Sequence, residues 1–242
     1  MSTDGLIVLL HGFGSDGANM RPVGAYFQAQ MPGLGIAAPD APERAGGGYQ
    51  WFSIAGVSEA NRPARVEAAR AAFDATLTAV IAGPGFAEKL DRVVLVGFSQ
   101  GSIMALDALA SGRWPVAGVV AFSGRLASPD PYVPSLATRL LLLHGGADGV
   151  IPAAESVAAA AKFEAMGVAT ELLVLPGVPH TIAPEGAARA SAAIAGMLGG
   201  RQAGGNTPPP SVPPLKGDGG AELMGLARLS PWRVRRSCRL RS

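Results

Sequence analysis

Residues 93–101 read VVLVGFSQG, and the fold of the whole chain follows from this stretch. Its first four residues are apolar, as in a strand that is buried on both faces of a parallel sheet. A helical pattern follows at residues 102–110, so the G-x-S-x-G run at 97–101 falls in the tight turn between them. The stretch therefore predicts a strand–turn–helix unit whose turn presents the hydroxyl of Ser99 above the start of a helix.

Apolar runs alternate with helical stretches on both sides of this unit. We predict further strands at residues 6–10, 35–39, 116–122, 140–143 and 171–175, and helices at 63–81, 153–166 and 185–198. Strands without polar alternation, separated by helices, are typical of a parallel sheet covered on both faces. The predicted fold class is α/β, with a mostly parallel central sheet, helices on both faces and one domain spanning residues 1–198.

Residues 199–242 differ from this body in composition. They are rich in Gly and Pro, end in WRVRRSCRLRS, and carry 8 Lys/Arg against 2 Asp/Glu. We predict a solvated, disordered tail, with weak attachment to anionic lipid or nucleic acid as the alternative. Residues 1–198 carry 12 Lys/Arg against 16 Asp/Glu, so the body gives no electrostatic basis for nucleic-acid binding.

Cysteine content and hydropathy limit the class of protein. Cys238 is the one cysteine, which leaves no intrachain disulfide and no Cys-based zinc site. The start of the chain lacks a basic region followed by a long apolar run, and no apolar stretch approaches the roughly 20 residues of a membrane helix. We expect a cytoplasmic protein without stable membrane insertion. A secreted form with its signal removed stays open, and a homodimer is compatible with the sequence.

Ser99 requires a general base if it is a nucleophile, and the chain has three histidines. His180 lies in a loop after a predicted strand and before the last helix, where its ring can reach the end of the sheet. His11 and His144 each sit between an apolar strand and a glycine. We expect these two to fix loops by hydrogen bonds, and we assign the base to His180.

An acidic residue must orient that base, and Asp148 is the best placed. It follows one predicted strand and precedes a helix, whereas Asp107 lies within a helix, Asp130 in a surface loop and Asp91 before the strand that ends at Ser99. The order Ser, Asp, His is the chain order of hydrolases with this strand–turn–helix unit. For the oxyanion hole we expect the backbone N–H groups of Phe13 and Gln100.

The first loop also permits a second interpretation. Gly12, Gly14 and Gly17 match G-x-G-x-x-G after a strand, and Asp40 lies about where a ribose-binding acid is expected. Pro22 interrupts the start of the helix that would receive a pyrophosphate, and this dinucleotide-binding hypothesis leaves Ser99 and its partners without a role. It is the weaker hypothesis.

The residues discussed so far resemble the phospholipase/carboxylesterase group of α/β-hydrolases, which includes bacterial carboxylesterases and acyl-protein thioesterases. The matching pieces run in order along the chain: LLHGFGSDG (9–17), PDAPE (39–43), WF (51–52), GFSQG (97–101), FSGRL (122–126), HGGADGVIP (144–152) and PGVPHTIAPEG (176–186). Two positions depart from the usual motifs. Ser102 stands where a second glycine commonly follows GFSQG, and Pro179 stands where a glycine commonly precedes the histidine.

The resemblance implies an α/β-hydrolase fold and a triad of Ser99, Asp148 and His180, with Phe13 and Gln100 as oxyanion donors. It implies small-molecule ester or thioester substrates, including lysophospholipids, and no metal or organic cofactor is expected. Trp51 and Phe52 line the acyl pocket in one interpretation and pack in the core in the other. A catalytically silent binding module with the same fold is the alternative to an enzyme.

Overall fold

Six strands pair into one wholly parallel sheet in the computed structural model, which describes residues 4–199. Together with a separate two-stranded hairpin, the strands of the described residues are β1 (Gly5–Leu10), β2 (Leu34–Ala37), β3 (Glu43–Ala45), β4 (Gly48–Gln50), β5 (Val93–Phe98), β6 (Gly118–Phe122), β7 (Arg139–Gly145) and β8 (Thr170–Leu175). The helices are α1 (Arg21–Gln30), α2 (Arg62–Ala82), α3 (Gln100–Ala110), α4 (Ala154–Ala165) and α5 (Pro184–Gly199). The order in the large sheet is β2-β1-β5-β6-β7-β8, while β3 and β4 form a separate antiparallel hairpin.

Alternate side chains of β1 divide the core into two layers. Leu6 and Val8 belong to one buried cluster together with residues of α2, α3 and α4. Ile7 and Leu9 belong to the other, together with residues of α1 and α5. The sheet is therefore covered on both faces, and the predicted α/β class with a mostly parallel sheet is confirmed.

Two parts of the fold were not predicted from the sequence. Helix α1 contains Pro22 and Gly24, which weaken its helical signal, yet it buries Val23 and Phe27 against the sheet. The hairpin lies in residues 40–51, where the sequence pattern predicts neither a strand nor a helix. Ala45 pairs with Gly48 across a two-residue turn, so these short strands depend on local turn geometry rather than on an apolar pattern.

The predicted C-terminal tail, residues 199–242, lies outside the described residues except for Gly199. Helix α5 ends at Gly199, one residue past the predicted boundary of the domain. The domain boundary itself therefore stays a prediction.

A buried carboxylate joins two helices on one face of the sheet. Asp107 of α3 is fully buried and accepts two hydrogen bonds from the guanidinium of Arg70 on α2, at 3.0 and 2.9 Å. Arg113 donates a third at 3.0 Å. These contacts satisfy both carboxylate oxygens, as a buried charge requires, so Asp107 has a structural role.

Two backbone segments approach each other very closely where β5 turns into α3. A Cβ atom placed on Gly101 would lie 2.1 Å from the carbonyl oxygen of Leu10 at the end of β1. A Cβ placed on Gly97 would lie 2.5 Å from the backbone nitrogen of Ser102. Both distances are far below van der Waals contact, so the first turn of α3 packs against β1 only because these positions lack a side chain.

We expect Gly101→Ala to destabilise the protein by about 1–3 kcal/mol or more, because the added methyl group must push two backbone segments apart. The matched control is Gly47→Ala, since Gly47 is exposed and a Cβ there meets no heavy atom within 4 Å. Thermal unfolding of both variants measures the difference. A Gly101→Ala protein as stable as the Gly47→Ala protein would contradict the packing constraint.

Candidate active site

Ser99 forms the turn between β5 and α3. Its backbone has φ 52° and ψ −114°, which residues with a side chain rarely adopt. Its N–H donates to the carbonyl oxygen of Phe122 at the end of β6, at 3.0 Å, and the residue is half-buried. Strain of this kind at a sheet edge, held by a neighbouring strand, is a feature of functional turns.

His180 and Asp148 reach the same edge of the sheet from two other strands. Asp148 follows β7 and His180 follows β8, and the His180 Nδ1 atom lies 2.6 Å from Asp148 Oδ2. The His180 ring packs against the ring of Phe98, the residue directly before Ser99, with ring centroids 4.9 Å apart. The structure thus gathers all three predicted residues at one edge. Within residues 4–199 no hydrogen bond joins the Ser99 hydroxyl to His180.

The Asp148 carboxylate is buried and held by several donors. Its side chain has no exposed surface, and Oδ1 accepts the N–H groups of Val150 and Ile151 at 2.8 and 2.9 Å. Burial alone would raise the pKa of Asp148. The hydrogen bonds from His180 and the two N–H groups, together with the charge of a protonated His180, outweigh burial and lower the pKa. Asp148 is therefore an ionised group suited to orient an imidazole.

The other aspartates considered from the sequence lie elsewhere. Asp91 is in a short 3-10 helix that precedes β5, at the opposite end of the strand from Ser99. Asp130 is exposed in the connection between β6 and β7, and Asp107 is committed to two arginines. None of them shares an edge with His180 as Asp148 does.

Two backbone N–H groups near Ser99 make no hydrogen bond within residues 4–199. A Cβ placed on Gly12 would lie 3.3 Å from Ser99 Cβ, so the loop after β1 runs alongside the serine. Among the described residues, the N–H of Phe13 in that loop and the N–H of Gln100 at the start of α3 donate to no acceptor. A serine flanked by two such donors can stabilise negative charge on a reacting carbonyl oxygen. The assignment of Phe13 and Gln100 as oxyanion donors stays a prediction.

The side chain of Gln100 has a role that the sequence did not reveal. Its Oε1 accepts the N–H of Trp51 at 2.8 Å, and its Nε2 donates to the carbonyl oxygen of Phe52 at 2.7 Å. The indole N–H of Trp51 donates in turn to the carbonyl oxygen of His11, at 2.9 Å. Gln100 and Trp51 therefore tie the start of α3 to the loop that carries Phe13. No sequence motif signals this bridge, because its partners are about 50 positions apart.

Trp51 and Phe52 themselves lie in the core. Their exposed fractions are 1% and 4%, and the Trp51 ring packs against Phe73 of α2, with centroids 5.3 Å apart. This arrangement matches the core-packing interpretation. Their contribution to an acyl pocket stays a prediction.

His11 makes the structural hydrogen bonds expected of it. The His11 Nδ1 atom lies 2.7 Å from the carbonyl oxygen of Gly12, and Nε2 accepts the N–H of Ala41 at 3.0 Å. The His11 ring thus carries its hydrogen on Nδ1. Burial lowers the pKa of His11, although the Gly12 carbonyl and the nearby charges of Asp40 and Asp16 oppose the shift. The neutral ring joins the loop after β1 to the segment after β2.

The glycine-rich loop does not leave a phosphate site of the dinucleotide-binding kind. The N–H of Gly17 donates to the carboxylate of Asp40 at 2.8 Å, so a negative charge already occupies that donor. A short 3-10 helix (Ala18–Met20) separates the loop from α1. The pyrophosphate of a dinucleotide would need free N–H groups at the start of the helix.

Two further findings concern the whole described part of the chain. In residues 4–199 no group of three or more His, Cys, Asp or Glu side chains is placed to hold a metal ion. No helix there is long and apolar enough to cross a bilayer.

Comparison with known proteins finds esterases among the proteins that this chain is similar to. Residues 2–197 match the family model described as phospholipase/carboxylesterase. The chain is 35% identical over 179 residues to esterase YpfH of Escherichia coli strain K12, covering 73% of this chain and 76% of that protein. It is 26% identical over 194 residues to acyl-protein thioesterase 1 homolog 1 of Dictyostelium discoideum, covering 74% and 84%. The crystal structure of esterase PE8 superposes with a TM-score of 0.72 at 33% identity, covering 81% of this chain and 94% of that one. These matches confirm the α/β-hydrolase fold.

Acidification is expected to destabilise the protein through His11. Because the folded pKa of His11 is lowered, the unfolded chain binds the proton more readily once the pH falls below about 6.5. Stability from the neutral ring is thus fully present above that pH and is lost as the pH falls toward the folded pKa, by up to about 1.4 kcal/mol per pH unit. We expect the melting temperature of the parent to fall more steeply between pH 6.5 and 5 than that of His11→Gln, whose amide oxygen can accept from Ala41 without titrating. Equal slopes would show that His11 does not titrate as a buried neutral ring.

Proposed function

The chain belongs to the phospholipase/carboxylesterase family of α/β-hydrolases, and we propose that it cleaves carboxylic esters and thioesters with a catalytic triad of Ser99, His180 and Asp148. It is a carboxylic ester hydrolase, as its match to the family and to named esterases shows. What we propose beyond this is that these three residues perform the reaction and that thioesters are also substrates. The likeness to an acyl-protein thioesterase homolog supports thioesters, since the same acyl transfer serves an oxygen or a sulfur leaving group.

The observation that carries the proposal is the hydrogen bond of 2.6 Å between His180 and Asp148, with the His180 ring seated against Phe98. Asp148 Oδ2 accepts the hydrogen bond from His180 Nδ1, so the hydrogen of the neutral ring lies on Nδ1 and Nε2 is left with a lone pair. A base of this form can take a proton from a serine hydroxyl. Phe98, against which the ring packs, directly precedes Ser99, which supports the pairing of this base with the serine.

The reaction proceeds in two steps. In the first, Ser99 Oγ bonds to the acyl carbon while its proton passes to His180 Nε2, and the bond from the acyl carbon to the leaving oxygen or sulfur breaks. His180 returns the proton to the leaving group. In the second, water attacks the acyl-enzyme as His180 takes its proton, the acid departs and Ser99 regains its hydrogen. Asp148 stabilises the charged imidazole in both steps.

Backbone donors hold the negative charge that forms on the carbonyl oxygen. In each step the oxyanion lies between the N–H groups of Phe13 and Gln100. The His11 ring and the Gln100 side chain fix these donors in advance, so that no large rearrangement is needed during the reaction. The proposed chemistry uses side chains and backbone groups of this chain together with water.

Hydrolysis of p-nitrophenyl esters from acetate to palmitate tests the proposal. We expect Ser99→Ala to lower kcat/KM by about 10³-fold or more, since the nucleophile is lost. Acyl thioesters of the same chain lengths, with thiol release as the readout, test whether thioesters are substrates. The acyl-chain length with the highest kcat/KM shows what length of acyl chain the site accommodates.

Ser123 provides a matched control. It also follows a strand of the sheet, has φ 48°, and is buried with no hydrogen-bond partner for its hydroxyl in the described residues. Ser123→Ala should keep the activity of the parent and its labelling by a fluorophosphonate probe. Turnover that survives Ser99→Ala, or that is lost equally in Ser123→Ala, would refute Ser99 as the nucleophile.

A further inference from the structure

His144 contacts Asp148 on its buried side and has no role in the proposed mechanism. His144 belongs to β7, and its side chain has no exposed surface. Its Nε2 atom lies 3.3 Å from Asp148 Oδ2, the same oxygen that binds His180 at 2.6 Å. The Oδ2 atom of Asp148 is thus placed between two imidazole rings.

Hydrogen bonding fixes which nitrogen of His144 carries a hydrogen. The neighbours of Nε2 are the carbonyl oxygen of Ile151 at 2.8 Å and Asp148 Oδ2, and both are acceptors. Nε2 must therefore be protonated. Nδ1 lies 2.6 Å from the hydroxyl oxygen of Ser156 on α4, which is fully buried and can donate to it. In this arrangement the Nε2 hydrogen of His144 is donated to the carbonyl oxygen of Ile151, Asp148 Oδ2 lies 3.3 Å from the same nitrogen, and Ser156 pairs with Nδ1.

His144 also restrains the loop that holds the other carboxylate oxygen. The carbonyl oxygen of Ile151 accepts from His144, while the N–H of Ile151 donates to Asp148 Oδ1. Rotation of the carboxylate would therefore break contacts on both of its oxygens. A histidine with only a packing role would need no contact with Asp148.

We propose that His144, oriented by Ser156, is a positioning residue for the triad: it holds the Asp148 carboxylate so that Oδ2 stays aligned with His180 Nδ1. This inference rests on the proposed function, in which Asp148 orients the catalytic base. His144 touches neither substrate nor the reacting atoms. Its loss is therefore expected to reduce kcat and to leave KM nearly unchanged.

Three variants of the full chain test this role against p-nitrophenyl butyrate, or against the preferred ester of the parent. His144→Phe keeps a planar ring but removes both nitrogens, and we expect kcat to fall about 10- to 100-fold, because the buried carbonyl oxygen of Ile151 loses its donor in the loop that holds Asp148. His144→Gln can place an amide N–H near the position of Nε2, so it should recover kcat to within about fivefold of the parent. Ser156→Ala leaves the imidazole in place but removes the hydrogen bond that orients it at Nδ1, and we expect kcat to fall about three- to tenfold.

Thr138→Val is the matched control for the loss of a buried hydrogen bond. Thr138 is buried directly before β7, at the opposite end of the strand from His144, and its hydroxyl donates to the carbonyl oxygen of Val116 at 2.7 Å. We expect Thr138→Val to lower the melting temperature and to leave kcat unchanged. Each variant is assayed well below its own melting temperature, so that lost stability is not read as lost catalysis.

Parent-like kcat in His144→Phe would overturn the proposal, and so would a loss in His144→Gln as large as that in His144→Phe. A change confined to KM would also refute it. If His144→Phe does not fold, His144→Gln and Ser156→Ala decide: parent-like kcat in Ser156→Ala, or a fall greater than fivefold in His144→Gln, refutes the role. Failure of the proposed function is distinguishable, because it would already be seen as Ser99-independent turnover before these variants are compared.

Discussion

The close approach of the backbone at Gly101 to the end of β1 is the constraint on which the rest of the site depends. With 2.1 Å between a notional Cβ and the Leu10 carbonyl oxygen, the first turn of α3 lies directly on the strand that carries the loop of His11 and Phe13. This contact brings the start of α3 against the end of β1, where the loop of His11 and Phe13 begins. Ser99, directly before α3, has a strained backbone conformation at the carboxyl edge of the sheet.

Three sets of hydrogen bonds restrain the groups around that turn. Gln100 and Trp51 tie the start of α3 to the loop after β1, and the neutral ring of His11 ties the same loop to the segment after β2. Asp148 is held on Oδ1 by two N–H groups of its own loop. The contacts of His11, Gln100 and Trp51 are buried, so competing water is excluded and each of these hydrogen bonds restrains its group more firmly than it would at the surface.

The order of strands and helices was predictable because each core strand has a nearly continuous apolar run and each long helix has an apolar stripe. The turn at Ser99 was predictable for the same reason, since the run of residues 93–96 ends directly at a small-residue motif. Helix α1 and the hairpin were not predictable in this way. Proline and glycine mask the helical pattern of α1, and burial of Val23 and Phe27 against the sheet compensates for its weak propensity.

The sequence by itself determined the parallel α/β architecture and the three residues to be brought together, because strand periodicity, a turn motif and chain order are local properties. Only the tertiary structure decided which groups support them. The Gln100 bridge to Trp51 and Phe52 and the contact of His144 with Asp148 depend on side-chain directions and on the register of neighbouring strands. The physical reason is that a hydrogen bond requires two atoms within about 3 Å in a defined direction, and no pattern along one chain specifies that distance.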